Sequence, residues 1–125
     1  MAYGTLQTDV INTSTGIFST NNAYTGIAKA WVNFVGASGS VNNSFNISSI
    51  TRNGTGDYTA NFSTAMPNAN YCFSGSGGKA TGTSPLYALM PYTDAVTTSS
   101  IRFHCNYVSG TVEDPTTVSF MIIGN

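Results

Sequence analysis

A chain of 125 residues with four Lys/Arg, five Asp/Glu and a formal net charge of −1 is the size of one domain. It carries no basic stripe to neutralise nucleic-acid phosphates. Charged residues make up 7% of it against about 25% in an ordinary domain, yet the aromatic fraction of 12% is unlike that of a disordered chain. No run approaches the roughly 18 apolar residues of a membrane-spanning helix. Solubility is left to Ser, Thr, Asn and Gly, a neutral surface that suits permanent assembly because few charges must be desolvated.

Residues 1–27 are polar and almost uncharged, with short apolar pieces at Val10-Ile11 and Gly16-Ile17-Phe18. They read as an extended N-terminal arm with one or two short strands, an element that needs something to tie it down. The opening at Met1 lacks the basic region and apolar block of a secretory leader. It reads as the start of a complete chain made in the cytoplasm.

From Ala28 the pattern alternates strictly, as in half-buried strands. Ala30, Val32 and Phe34 fall on one face, with Lys29, Trp31 and Asn33 on the other. A turn follows at residues 36–40, and residues 44–50 place Phe45 and Ile47 on one side. Asn53-Gly54-Thr55-Gly56 predicts a hairpin turn at the Asn-Gly pair, leading into a strand with Tyr58, Ala60 and Phe62 together. After Met66-Pro67-Asn68 a further strand carries Tyr71 and Phe73. Residues 75–85, rich in Gly, Ser and Thr, read as a long loop, and residues 86–92 as a short apolar strand. Residues 99–108 alternate with Ile101, Phe103, Cys105 and Tyr107 inward and Arg102, His104 and Asn106 outward. Residues 116–123 close the chain with Val118, Phe120 and Ile122 inward.

No stretch has a sustained helical period with capping signals. The expectation is an all-β domain over residues 28–125, an antiparallel β-sandwich, jelly-roll-like, of about seven or eight strands, behind the arm of residues 1–27.

The chemistry-bearing residues are sparse. The five carboxylates, Asp9, Asp57, Asp94, Glu113 and Asp114, sit in no setting that marks a glycosidase pair, and they read as solvated or turn-capping groups. A single histidine, His104, rules out a His-rich metal site within one chain. Cys72 and Cys105 have neither CxxC nor Cys/His spacing and read as small strand residues, whether or not they bond. Gly77-Gly78-Lys79 lacks the phosphate-loop spacing. Asn-x-Ser/Thr triplets, as at Asn46, are by-products of the composition. No catalytic, cofactor-binding or metal-ligating residue is expected, no cofactor, and no enzyme. The aromatic residues on polar strands, Trp31, Tyr87 and Tyr92, are the candidates for an interface or for stacking on a sugar ring.

Two segments carry a resemblance. The opening Met1-Ala2-Tyr3-Gly4-Thr5-Leu6 resembles the start of short virion-associated proteins of tailed bacteriophages, cyanophages among them. The run Ala28-Lys29-Ala30-Trp31-Val32-Asn33-Phe34 is followed by Ser44-Phe45-Asn46-Ile47-Ser48-Ser49-Ile50-Thr51 and Asn53-Gly54-Thr55-Gly56-Asp57-Tyr58-Thr59. With Asn61-Phe62 and Ala65-Met66-Pro67-Asn68-Ala69-Asn70-Tyr71, it is similar to a module of phage tail-fibre and other exposed virion proteins. The resemblance covers roughly the first 73 residues. It implies a β-rich, homotrimeric virion component without enzymatic activity, bound to other capsid or tail proteins. The length lacks the shaft of a whole fibre. A small knob-like decoration (cement) protein on the capsid is the first expectation. A tail-fibre tip that recognises a host surface polysaccharide is the alternative.

Overall fold

Alternation of apolar and polar residues makes strands here because each strand has one wet and one dry side, and the inward sets meet. The computed structural model describes residues 10–13, 16–19, 26–80, 87–107 and 109–124. The elements named among the described residues are β-strands: β1 (Val10–Thr13), β2 (Gly16–Ser19), β3 (Ala28–Phe34), β4 (Val41–Phe45), β5 (Ile47–Gly54), β6 (Asp57–Phe62), β7 (Cys72–Gly78), β8 (Tyr87–Val96), β9 (Ser100–Tyr107) and β10 (Thr117–Ile123). The all-β, antiparallel expectation therefore holds. Strands β1 and β2 pair with each other, Val10 opposite Ser19 and Thr13 opposite Gly16. Apart from Gly26 and Ile27, the rest of the arm, and the part of the predicted loop at residues 81–85, lie outside the described residues.

The other strands form one sheet in the order β4-β3-β10-β7-β8-β9-β6-β5. Its two edge strands, β4 and β5, are separated in the chain by one residue, Asn46, at φ 55°. Two edges joined by a single residue force the sheet to curl on itself, which makes the fold barrel-like. Asn46 holds the corner: its Nδ2 donates to the carbonyls of Lys29 and Thr64, while its Oδ1 accepts from the Thr64 amide. Asn tolerates this left-handed conformation better than most residues because its short amide bonds locally.

This corner also reverses one expectation. Phe45 and Ile47 do not share a face. The turn at Asn46 leaves Phe45 54% exposed and sends Ile47 into the core.

Inside the curl the expected sets are buried: Ala30, Val32 and Phe34; Tyr58, Ala60 and Phe62; Ile101, Phe103 and Cys105; Val118, Phe120 and Ile122. Phe103 is the hub. It meets Tyr58 at 5.7 Å, Phe73 at 5.1 Å and Phe120 at 5.2 Å between ring centroids, and Phe34 packs edge-on to Tyr58 at 5.1 Å. Such contacts add roughly 0.5–1.5 kcal/mol each beyond area burial.

Two local expectations are corrected. In the β5–β6 hairpin the positive φ falls on Gly56 (62°), not on the Asn53-Gly54 pair, and Gly54 pairs with Asp57 as ladder. At Gly56 a Cβ would come within 2.6 Å of the Glu113 carbonyl. The glycines after Phe73 are not loop but the second half of β7. A Cβ on Gly75 would lie 2.5 Å from Phe120 Cβ and 2.8 Å from Leu89 Cδ1. Glycine at this inward position lets β7 lie close against the core.

Candidate functional site

The outer faces of the curl differ in kind. On the side of β8, β9 and β6, charged and ring groups satisfy one another. Arg102 donates from Nε and Nη2 to the two oxygens of Asp57, at 3.0 and 2.6 Å. Its guanidinium lies 5.1 Å above the Tyr92 ring, and that ring is 4.8 Å from His104. The Arg102 hydrogen bonds hold the Asp57 carboxyl below its usual range, with Asn53 adding a further donor. His104 Nδ1 and Asn106 Oδ1, on the same strand face, are closed off without a hydrogen-bond partner among the described atoms.

The strap of residues 111–116 is fixed from below. Asp114 Oδ1 accepts from the Tyr58 hydroxyl at 2.7 Å and the Gly56 amide at 2.8 Å, while Arg52 Nη2 reaches Oδ2 at 2.5 Å. Burial pushes the Asp114 carboxyl up, but Arg52 and the Gly56 and Tyr58 donors outweigh it and hold the group below its ordinary value. Glu113 accepts from Tyr87 at 2.8 Å and from Lys79 at 3.2 Å. Asp114 thus caps the β5–β6 turn through the Gly56 amide, and Glu113 stays partly exposed, within the solvated or turn-capping reading of the sequence. Pro115, next to them, is fully buried.

The side formed by β4, β3, β10 and β7 is different. Cross-strand register sets Phe45, Trp31, Met121 and Ser74 in one row, and Asn43, Asn33, Ser119 and Ser76 in the next. Phe45, Trp31 and Met121 are 54%, 37% and 47% exposed, an apolar ridge with no covering element among the described residues. The outward side chains of β7 beside it are serines, so the surface drops into a trough. This trough has a volume of ≈ 570 Å³ and is lined by Trp31, Asn33, Ser74, Ser76, Ser119 and Met121 together with the strand backbone. Asn33 is fixed there, donating to Ser119 Oγ and accepting from Asn42 Nδ2, both at 2.7 Å. Among the described residues no Lys, Arg, Asp, Glu or His lines the trough.

The three aromatic candidates do not converge. Trp31 stands on the exposed ridge. Tyr92 lies on the opposite outer face beneath Arg102. Tyr87 is 5% exposed, packs 6.0 Å from Tyr107 and uses its hydroxyl on Glu113, so it presents no ring to a ligand. Strand phase explains this: Tyr87 and Leu89 point inward on β8, while Tyr92 lies beyond Pro91, where the β8–β9 register shifts. Met121 was legible as the outward residue between Phe120 and Ile122. Ser76 was hidden by reading residues 75–85 as loop, whereas Ser74 fell at the end of an expected strand.

Among the described residues no three His, Cys, Asp or Glu side chains gather as metal ligands. Cys105 is buried and unbonded, its thiol pushed up to about 12 by burial, and Cys72 is exposed and also unbonded. Among the described residues no helix is long and apolar enough to cross a membrane. No family model matches the chain, and neither a curated protein nor a solved structure matches it.

Proposed function

We propose that this chain is a non-enzymatic structural protein of a bacteriophage virion, a small homotrimeric knob that decorates the capsid as a cement protein. On this reading it is made in the bacterial cytoplasm and exposed on the particle, held by neighbouring virion proteins. The observation that carries the reading is the open edge at β4. Its sequence, Val-Asn-Asn-Ser-Phe, has no charge and no proline, and Val41 and Phe45 are 41% and 54% exposed. A bare, uncharged edge is a template for pairing with another chain, which proteins normally block unless they use it. The edges at the two ends of the sheet are different strands, β4 and β5. Joining one copy's β4 to the next copy's β5 is a head-to-tail contact, the kind that closes as a ring.

The jelly-roll-like sandwich belongs to the same proposal. Among the described residues β7 and β8 pair at Ser76–Ala88 and Gly77–Tyr87, and the rings of β3, β7 and β10 pack onto those of β6 and β9. A barrel flattened along that joint has the two layers of a sandwich. The phage-like segments at residues 28–71 support the virion assignment.

The test is assembly. Purified protein is expected to be a trimer, and particles lacking it are expected to rebind it only when residues 1–27 are present. Full rebinding without those residues, by a protein monomeric at all concentrations, would sink the proposal. The second reading, a tail-fibre tip that binds host polysaccharide, is favoured by one observation, the uncharged trough beside Trp31.

A further inference from the structure

We infer that the trough between Trp31 on β3 and the serines of β7 is a binding site for a neutral pyranose unit of a polysaccharide. The inference rests on the adhesin reading for its biological meaning, but its physical grounds are separate from the β4 edge. The trough exists because of a difference in side-chain height. Trp31 and Met121 stand on β3 and β10, whereas Ser74 and Ser76 leave the β7 side low, and the outer side of Gly75 is bare backbone.

Its lining selects the occupant by elimination. A nucleic acid or an acidic sugar requires cations, and none lines it. An extended peptide docking as an added strand requires free backbone groups; here β3 and β10, the strands that carry Trp31 and Ser119, are each paired on both sides. An acyl chain would desolvate the hydroxyls of Ser74, Ser76 and Ser119 and the Asn33 amide without replacing their hydrogen bonds. A neutral sugar ring answers both parts of the surface. Its apolar C–H face stacks on the indole, and its hydroxyls exchange hydrogen bonds with the serines and the amide. Asn33 is already oriented by Ser119 and Asn42, so little ordering remains for binding to impose. A volume of ≈ 570 Å³ is that of an ordinary small-ligand site.

Trp31 is the sole tryptophan of the chain, so its emission reports on the site directly. The intact protein would be titrated with maltohexaose, cellohexaose and a neutral mannan, with polygalacturonate as the charged control. Molecular mass would be followed in the same samples by light scattering. The expected result is a saturable emission change with at least one neutral glycan and none with the control. Calorimetry with that glycan should show binding weakened at least about tenfold, the loss of one good contact, in both Trp31→Ala and Ser76→Leu, and largely restored in Trp31→Phe. Two variants on different walls guard against one misfolding. An unchanged emission across all neutral glycans overturns the site. If fluorescently labelled protein still decorates host cells in that case, the adhesin reading stands without it; if it does not, both fall. An emission change that tracks only protein concentration and mass would assign the trough to a second copy of the chain and equally overturn the proposal.

Discussion

The two outer faces of the curled sheet are built from similar strands and behave as opposites. On β6, β9 and β8, charges and rings find partners within the chain: Arg102 with Asp57 and Tyr92, and Arg52 with Asp114 in the adjoining strap. On β4, β3, β10 and β7, a Phe–Trp–Met ridge and a serine-floored trough carry no charge and have no covering element among the described residues. An ion pair closed within the chain holds a fold together, whereas an exposed apolar ridge costs solubility and is retained where something covers it. The difference assigns stability to one side and recognition to the other. It is sharpest at Phe45, which the Asn46 corner turns outward from what would otherwise have been a core position.

The comparison can be broken most forcefully from the closed side. Asp114→Asn removes the charge that accepts from Arg52, Tyr58 and Gly56. It is expected to cost about 1.5–3 kcal/mol, the range for hydrogen bonds to a charged group, measured by urea unfolding, with the assembly state unchanged. Asn46→Ala should come next. It places a residue without a bonding side chain at φ 55° and should cost about 1–3 kcal/mol, loosening the corner where the sheet edges meet.

Acid should act through the same carboxylates. Asp57 and Asp114 titrate lower in the folded chain than a free carboxyl. Their stabilisation is therefore complete above the unfolded value of roughly 4 and is lost as the pH falls through the lower folded values. The melting temperature is expected to be flat near neutrality and to drop in that acid range, with a shallower drop in Asp114→Asn. The smallest effect belongs to the open side. Met121→Ser should change stability by no more than about 0.5 kcal/mol, as at a surface position. A larger loss in the isolated chain would show that the ridge is structural.

Much of this was written in the alternation. The inward sets of β3, β6, β9 and β10 follow from period-two patterning alone, because each strand is wet on one side. What failed did so for local physical reasons. Period-two reading runs straight through Asn46, since nothing in the pattern announces a left-handed corner, and so it sets Phe45 on the same side as Ile47. The glycines of β7 look like loop until their neighbours are known; only contact with Phe120 and Leu89 explains why a strand would be built without side chains. The Asp114 cluster joins residues more than fifty positions apart, a link that spacing along the chain cannot reveal. Of the site itself, Trp31 was visible as an outward aromatic. The trough was not, because its shape depends on which strand lies beside which.

The most direct test of the division between the two faces is the molecular mass in solution of the intact protein, of Phe45→Lys and of Arg102→Ala, each checked for an unchanged β-sheet spectrum. A trimer for the intact protein and for Arg102→Ala, with Phe45→Lys reduced to monomer, is the predicted result. A Phe45→Lys protein that stays trimeric, or an intact protein that is monomeric at all concentrations, would contradict the assignment of the open β4 side to assembly.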